Sequence, residues 1–379
     1  VITADNQYVY SGTTPAGITF YDIVKTPTGS LIAATSAGIM SPSSVGGNSW
    51  NVVLQTGDPA TRIIYSSYLG MYFAAIGNQV RISEDGIKWA LPSGMDGVTV
   101  VRDITEDGLG NVYVSADSGV YIMQPLEYTK PFWTQLPLFD VTDTNAYGMY
   151  YDTPNDSLMI SGSSGIYKTT DLENWTKVSG RELNVPVYSI TIADDCIFLV
   201  SNNKVWRKNE TESEFKVIGD FYVSCRKGEY FAGDFYVTTD VGLHRSSSEN
   251  DVINDNEIKW QIAFMTSARN GIMPATHALR VQSGRLWMGE DERLFSVTDK
   301  RRIYTHADLS SICPIIFVNG SERSVGVYYS QGNKIIFDTK QNPSDKIEIV
   351  KSYVEFESEL GGWADTKYDA EVEIGRAHV

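Results

Sequence analysis

Hydrolysis of a glycosidic bond needs two carboxylates facing one cleft, roughly 5–10 Å apart. Four aspartates stand where they could supply such a pair: Asp22 in FYDIV, Asp103 in VRDIT, Asp117 in ADSG and Asp240 in TTDVG. Asp22 and Asp103 fall on stretches that read as innermost strands, where side chains can face a central channel, whereas Asp117 and Asp240 fall at turns. A second chemistry is stacking. Tyr147, Tyr150 and Tyr151, beside Phe132 and Trp133, could offer aromatic platforms to sugar rings, although alternation along a strand sends half of such residues inward. A third is anion capture by Arg62, Arg102 and Arg280, all near inner strands, with salt bridging between neighbouring elements as the plainer use of each.

Most other catalytic signatures are missing. The four histidines, His244, His277, His306 and His378, form no His-x-x-x-His pair, and Cys196, Cys225 and Cys313 form no Cys-x-x-Cys. A zinc site therefore has no local support, and no metal or cofactor is expected. No Gly-x-Ser-x-Gly elbow or phosphate-binding loop occurs. The loop Asp251-x-x-Asn254-Asp255-Asn256-Glu257 is rich in oxygen ligands, but it lacks the alternating spacing and central glycine of an EF-hand and reads as a solvated acidic loop.

The elements that would hold these residues repeat. A turn followed by an apolar strand start recurs about every forty residues: Gly38-Ile39, Gln79-Val80, Gly119-Val120, Gly165-Ile166, Lys204-Val205, Gly242-Leu243, Arg293-Leu294 and Lys334-Ile335. A large ring follows in step at Trp50, Trp89, Trp133, Trp175, Phe215 and Trp260, with Ile303 in the same place of the seventh repeat. Each repeat divides into four short strands, as in ITFYDIVKT, SLIAATS, GIMSPS and WNVVLQ, with turn formers between them. Such sheets are too short to stand alone, and a ring of them buries both faces of each. The expected fold is all-β, a β-propeller of four-stranded blades, seven by the paired markers and eight by the turn marker alone. Residues 1–17 read as a lead strand able to close the ring, 18–311 as seven repeats, and 312–372 as an eighth blade or a closing segment, with 344–360 open between helix and strand. The terminal Glu373–Val379, EIGRAHV, looks like a translated sequencing adapter and is set apart as a non-native tail.

One turn recurs within the repeats. GIYKTTDLENW runs Thr169-x-Asp171 to Trp175, RISEDGIKW runs Ser83-x-Asp85-Gly86 to Trp89, and a degraded copy runs from Ser44 to Trp50 with Gly46 in place of the aspartate. The hydroxyl and carboxylate can accept the amides that a turn leaves unpaired, and the glycine supplies a positive φ. The tryptophan then opens the next strand and packs on a neighbouring sheet. This unit resembles the Asp-box, or BNR repeat, of sialidase-like and xyloglucanase-like β-propellers, whose usual Ser-x-Asp-x-Gly-x-x-Trp is one residue longer. The resemblance implies a structural role for Asp85 and Asp171, since the family's turn lies away from its catalytic face. YVTTDVGLHRS also resembles a repeat of the xyloglucanase-like hydrolases, which would carry a catalytic role to Asp240 and, less closely, to Asp117. The sialidase Phe/Tyr-Arg-Ile-Pro signature is absent, the nearest text being Thr61-Arg62-Ile63-Ile64.

The totals narrow the partners. Across 379 residues the net charge is −16, which argues against nucleic acid and against an anionic membrane surface. No apolar run is long enough to span a bilayer. The three distant cysteines are not a disulfide framework. The chain begins at Val1 with no signal peptide, so localisation stays open, with an extracellular or virion-associated place preferred. The expected function is a non-catalytic propeller that binds a glycan or protein ligand, as in a phage receptor-binding part or a secreted glycan binder. The alternative is a glycoside hydrolase of the xyloglucanase-like or sialidase-like type.

Overall fold

The computed structural model of the chain describes residues 8–13, 17–25, 31–42, 50–124, 131–140, 144–180, 183–209, 212–231, 233–246, 252–255, 257–264, 275–282, 285–290 and 293–298, together with short strands between 303 and 377. It divides into two compact units, Val1–Val297 and Thr298–Val379.

The first unit is a β-propeller. Blade 1 is built from Phe20–Lys25, Leu31–Thr35, Gly38–Pro42 and Trp50–Gln55, joined antiparallel in that order from the axis outward. The innermost strands of the following blades are Ala60–Ser66, Val101–Glu106, Met149–Asp152, Val187–Ala193, Cys225–Phe231 and Thr276–Gln282. Each of these packs on the next, and the seventh packs on the first, so the ring is closed. Six sheets have four strands and blade 2 has three, with the bridge between Ile82 and Ala90 where its fourth strand would run. In blade 7 the outermost strand comes from the start of the chain: Tyr8–Thr13 pairs antiparallel with Arg293–Thr298, Tyr8 opposite Val297. That pairing covers an edge which would otherwise be open.

Alternation along the strands explains why the ring needs every blade. In blade 1, Ala33 and Met40 point toward blade 7, where they meet Ala278, Trp287 and Leu294, while Ala34 and Ile39 point toward blade 2 and meet Ala60, Ile63 and Ala74. The same division continues around the axis, giving one apolar cluster at each seam between blades. The core is thus seven thin slabs. Alanines on the second strands, such as Ala33, Ala34, Ala74, Ala75 and Ala116, are fully buried and let the sheets approach closely.

The strands after residue 298 do not follow blade order. Lys334–Phe337, which holds the eighth turn marker, lies between Ile303–Thr305 and Tyr328–Gln331, and Ile303 pairs with Ile336. A separate sheet runs Ser321–Arg323, Cys313–Val318, Ile347–Ser352 and Ile374–Ala377. The count of eight by turn marker is therefore corrected to seven, because a turn-plus-apolar start is shared by any β-hairpin. Ile347–Ser352 is strand, with no helix there, and Ile374–Ala377 from the terminal stretch pairs with it. Among the described residues, no helix is long and apolar enough to cross a membrane.

Candidate functional site at the channel mouth

The innermost strands share one irregularity. In blades 1, 2, 3, 5, 6 and 7 the register with the second strand slips near the start of the strand, which leaves Tyr21, Thr61, Arg102, Tyr188, Arg226 with Lys227, and His277 outside the ladder. A bulge re-aims the side chain that it releases. These residues meet across blades. Tyr21 and His277 pack edge to face at 5.7 Å, the Arg102 guanidinium lies 4.3 Å over the Tyr147 ring, and Tyr147 meets Tyr188 edge to face at 6.0 Å. Arg102 also donates to the Ala146 carbonyl at 3.2 Å and to the Asn145 side chain at 3.4 Å. The mouth is ringed by aromatic and cationic groups, at the end where each innermost strand begins.

Further along the axis sits a charge cluster. Asp22 is completely buried, and Arg280 of blade 7 grips it through both nitrogens, Nε to Oδ1 at 3.1 Å and Nη2 to Oδ2 at 2.7 Å. Lys227 of blade 6 reaches Oδ1 at 3.2 Å, and the Ile63 amide of blade 2 donates to Oδ2 at 3.2 Å. Burial alone would raise the Asp22 pKa, but Arg280, Lys227 and Arg62 outweigh it and hold the carboxyl well below the usual range. Asp103 does the same work two blades on, accepting Arg62 Nε at 3.0 Å and the Met149 amide of blade 4 at 3.1 Å. Glu229 shares this axis. Burial pushes its pKa up to about 7, against the pull of Lys227 and Arg280 and with the repulsion of Asp22 and Asp103. Burial also lowers the Lys227 pKa despite Asp22 beside it.

Asp117 and Asp240 act as turn clips. Asp117 accepts the Thr99 amide at 3.1 Å as well as the Thr99 hydroxyl, which ties the turn after the second strand of blade 3 to the entry of its first. Burial by itself would raise its pKa, yet the hydrogen bonds from Thr99 win and keep it low. Ser36 fills the same place in blade 1, accepting the Thr19 amide at 3.0 Å. Asp240 binds Arg226 through Oδ1, at 2.7 Å from Nη2 and 3.2 Å from Nε.

The three candidate tyrosines part company. Tyr147 stays at the mouth. Tyr150 packs toward blade 5, and Tyr151 stacks on Tyr113 of blade 3 at 5.7 Å and donates to Asp156. The three lie in separate environments, as the alternation expected along a strand implies, because neighbours on a strand face opposite seams. Trp133 is fully buried, whereas Phe132 is 46% exposed. Of the three arginines, Arg62 and Arg280 both bear on the axial cluster, paired with Asp103 and Asp22, while Arg102 lies on Tyr147.

At the opposite end lie the repeated turns. Ser83 accepts the Gly86 amide at 2.8 Å, and Asp85 Oδ1 accepts the amides of Ile87 at 2.8 Å and Lys88 at 2.7 Å. Thr169 likewise accepts the Leu172 amide at 2.9 Å, and Asp171 Oδ1 accepts Glu173 at 2.9 Å and Asn174 at 2.7 Å. Leu172, at φ 62°, stands where Gly86, at φ 72°, stands in the first copy, so the fourth position is left-handed in both. The Lys88 and Ile87 amides lower the Asp85 pKa, and the Asn174 side chain and amide lower that of Asp171. Trp89 and Trp175 are half-buried, Trp175 donating to the Pro137 carbonyl at 3.0 Å, and Trp50 is buried against Phe20. Ser44, His306, His378, Asp251 and Asn256 lie outside the described residues. Among the described residues no group of three or more His, Cys, Asp or Glu is placed to hold a metal.

Sequence reasoning missed Lys227, Glu229 and the bulged ring. The first two could have been found in CRKGEYF, where charges alternate on a strand due to face the axis. The bulges leave no residue signature.

The fold defines the class: a seven-bladed β-propeller. No protein-family model and no curated relative matches the sequence. Solved structures match the fold. The extracellular domain of the one-component system BT4673 from B. thetaiotaomicron is 14% identical at a TM-score of 0.59, over 82% of this chain and 41% of that one. Its hybrid two-component counterpart is matched over 51% of its length, so the chain spans about half or less of these extracellular domains. Virginiamycin B lyase from Staphylococcus aureus is 15% identical at a TM-score of 0.60, over 77% and 98% of the two chains. The WD40 propeller of Doa1 is 11% identical at 0.57, over 77% and 97%.

Proposed function

We propose that the chain is a non-catalytic ligand-binding propeller of the Asp-box type, and that it binds a glycan or protein ligand at the channel mouth. The observation that carries this reading is the set of side chains at that mouth, six blades releasing theirs at a bulge and blade 4 adding Tyr147 ahead of its first strand, linked by the Arg102–Tyr147–Tyr188 contacts. The four aspartates that the sequence offers to a hydrolase are engaged: Asp22 by Arg280 and Lys227, Asp103 by Arg62, Asp117 by Thr99 and Asp240 by Arg226. The Asp-box type rests on the two superimposable turns at the far end. The matched folds include the extracellular domain of a one-component system as well as a lyase, and fold alone does not choose between them.

Two measurements test the proposal. Reporter glycosides and plant polysaccharides should show no turnover, and turnover abolished in Asp240→Ala or Asp22→Asn would defeat the non-catalytic reading. Binding from a glycan and protein array should be lost when a bulky maleimide is attached to Asn202→Cys at the mouth end. It should persist when the label is on Ile87→Cys at the opposite end. The reverse pattern would place the site elsewhere.

A further inference from the structure

We infer that the sector of the mouth carried by blades 4 to 6 is a stacking surface for a neutral oligosaccharide chain, with Tyr147, Tyr188 and Tyr222 as its platforms. The inference rests on the mouth reading above and names its ligand class.

Aromatic side chains in this propeller are mostly buried, so those left open on one end stand out. Tyr222 lies on the connector between blades 5 and 6 and is 107% exposed relative to a free residue. That connector is at the mouth end, since the Phe221 amide donates to the Asn203 carbonyl at 2.8 Å and the Asp240 amide to the Ser224 carbonyl at 3.2 Å, both turns that follow a second strand. Tyr188, released by the bulge of blade 5, is 39% exposed and touches Tyr147. The three rings are carried at this end by blade 4, blade 5 and the connector into blade 6, so they follow one another in order around the ring.

Ring chemistry and charge together select the ligand. A tyrosine offers a flat apolar face with a polar edge, the complement of a pyranose face and its hydroxyls. The cations nearby are already committed, Arg102 to Tyr147, Asn145 and the Ala146 carbonyl, and Arg226 to Asp240. Among the described residues of this sector Lys204 is likewise paired, with Asp220 at 3.4 Å, and a net charge of −16 repels polyanions at long range. A neutral saccharide suffers neither penalty.

The test is calorimetric titration of hexasaccharides of cellulose, xylan, mannan and chitin, with hexagalacturonate as the acidic control. Wild type should bind at least one neutral hexamer, more tightly than its trimer and more tightly than hexagalacturonate. Tyr188→Ala and Tyr222→Ala should each weaken that binding about tenfold at unchanged Tm, and Tyr222→Trp should restore or improve it. Unchanged affinity in both alanine variants, or tighter binding of hexagalacturonate, would overturn the inference. So would failure of every neutral hexamer while a protein ligand is lost from labelled Asn202→Cys, an outcome that leaves the mouth reading standing. Binding blocked only by the label at Ile87→Cys would remove that reading as well.

Discussion

The two ends of the propeller use aspartate in opposite ways. At the end of the repeated turns, Asp85 and Asp171 give their oxygens to amides two and three residues on in the same turn. On the axis, Asp22 gathers Arg280, Lys227 and the Ile63 amide from three other blades. The first arrangement is complete as soon as the turn forms. The second exists only when the ring has closed, and removing its anion strands two half-buried cations.

That contrast can be broken by mutation. Asp22→Ala should cost about 3–5 kcal/mol in denaturant unfolding, the usual loss on leaving buried charge unpaired. A loss under about 1 kcal/mol would mean that the axial cluster is wet and the contrast false. Next comes pH. The Glu229 pKa is raised from 4.5 to about 7, so the folded state holds its proton more tightly than the unfolded one. Its stabilising effect is fully present below pH 4.5 and is lost as pH rises through 7, up to about 3 kcal/mol in all. Glu229→Gln should flatten that slope in unfolding measured across pH 5–8, and an unchanged slope would place the titration elsewhere. Asp22 acts in another window, because its depressed pKa makes its contribution fade only as pH falls below the ordinary carboxylate range.

Smaller effects sharpen the comparison from the other end. Trp175 is the part of its turn that reaches beyond it, to Phe139 at 6.1 Å and to the Pro137 carbonyl. Half-buried, it should lose about 2 kcal/mol as Trp175→Ala, less than the 3–5 kcal/mol for the fully buried Trp133→Ala. Equal losses would mean that the turn is tied into the seam as firmly as the inner core. Asp85→Ala should lower Tm least of the four. A drop matching that of Asp22→Ala would erase the distinction between local and long-range carboxylates.

Much of the fold was legible because its cause is local. The turn units need only a hydroxyl, a carboxylate and a left-handed residue at fixed spacing, and Ser83, Asp85 and Gly86 state this in the text of the chain. Leu172 shows where such reading thins, since a leucine at φ 62° gives no sign of its conformation. The tyrosine cluster divides by an equally local rule. Tyr150 and Tyr151 are adjacent in sequence, and the pleat sends them to different seams.

By itself the sequence determined the β class, the blade period and the turns, because strand alternation and turn chemistry act over a few residues. Tertiary structure alone decided that Asp22 is an anchor for cations, that Tyr188 and Tyr222 join Tyr147 at one mouth, and that the ring closes at seven. Those outcomes depend on which distant strands become neighbours around an axis, and on how register slips at each bulge turn side chains toward it.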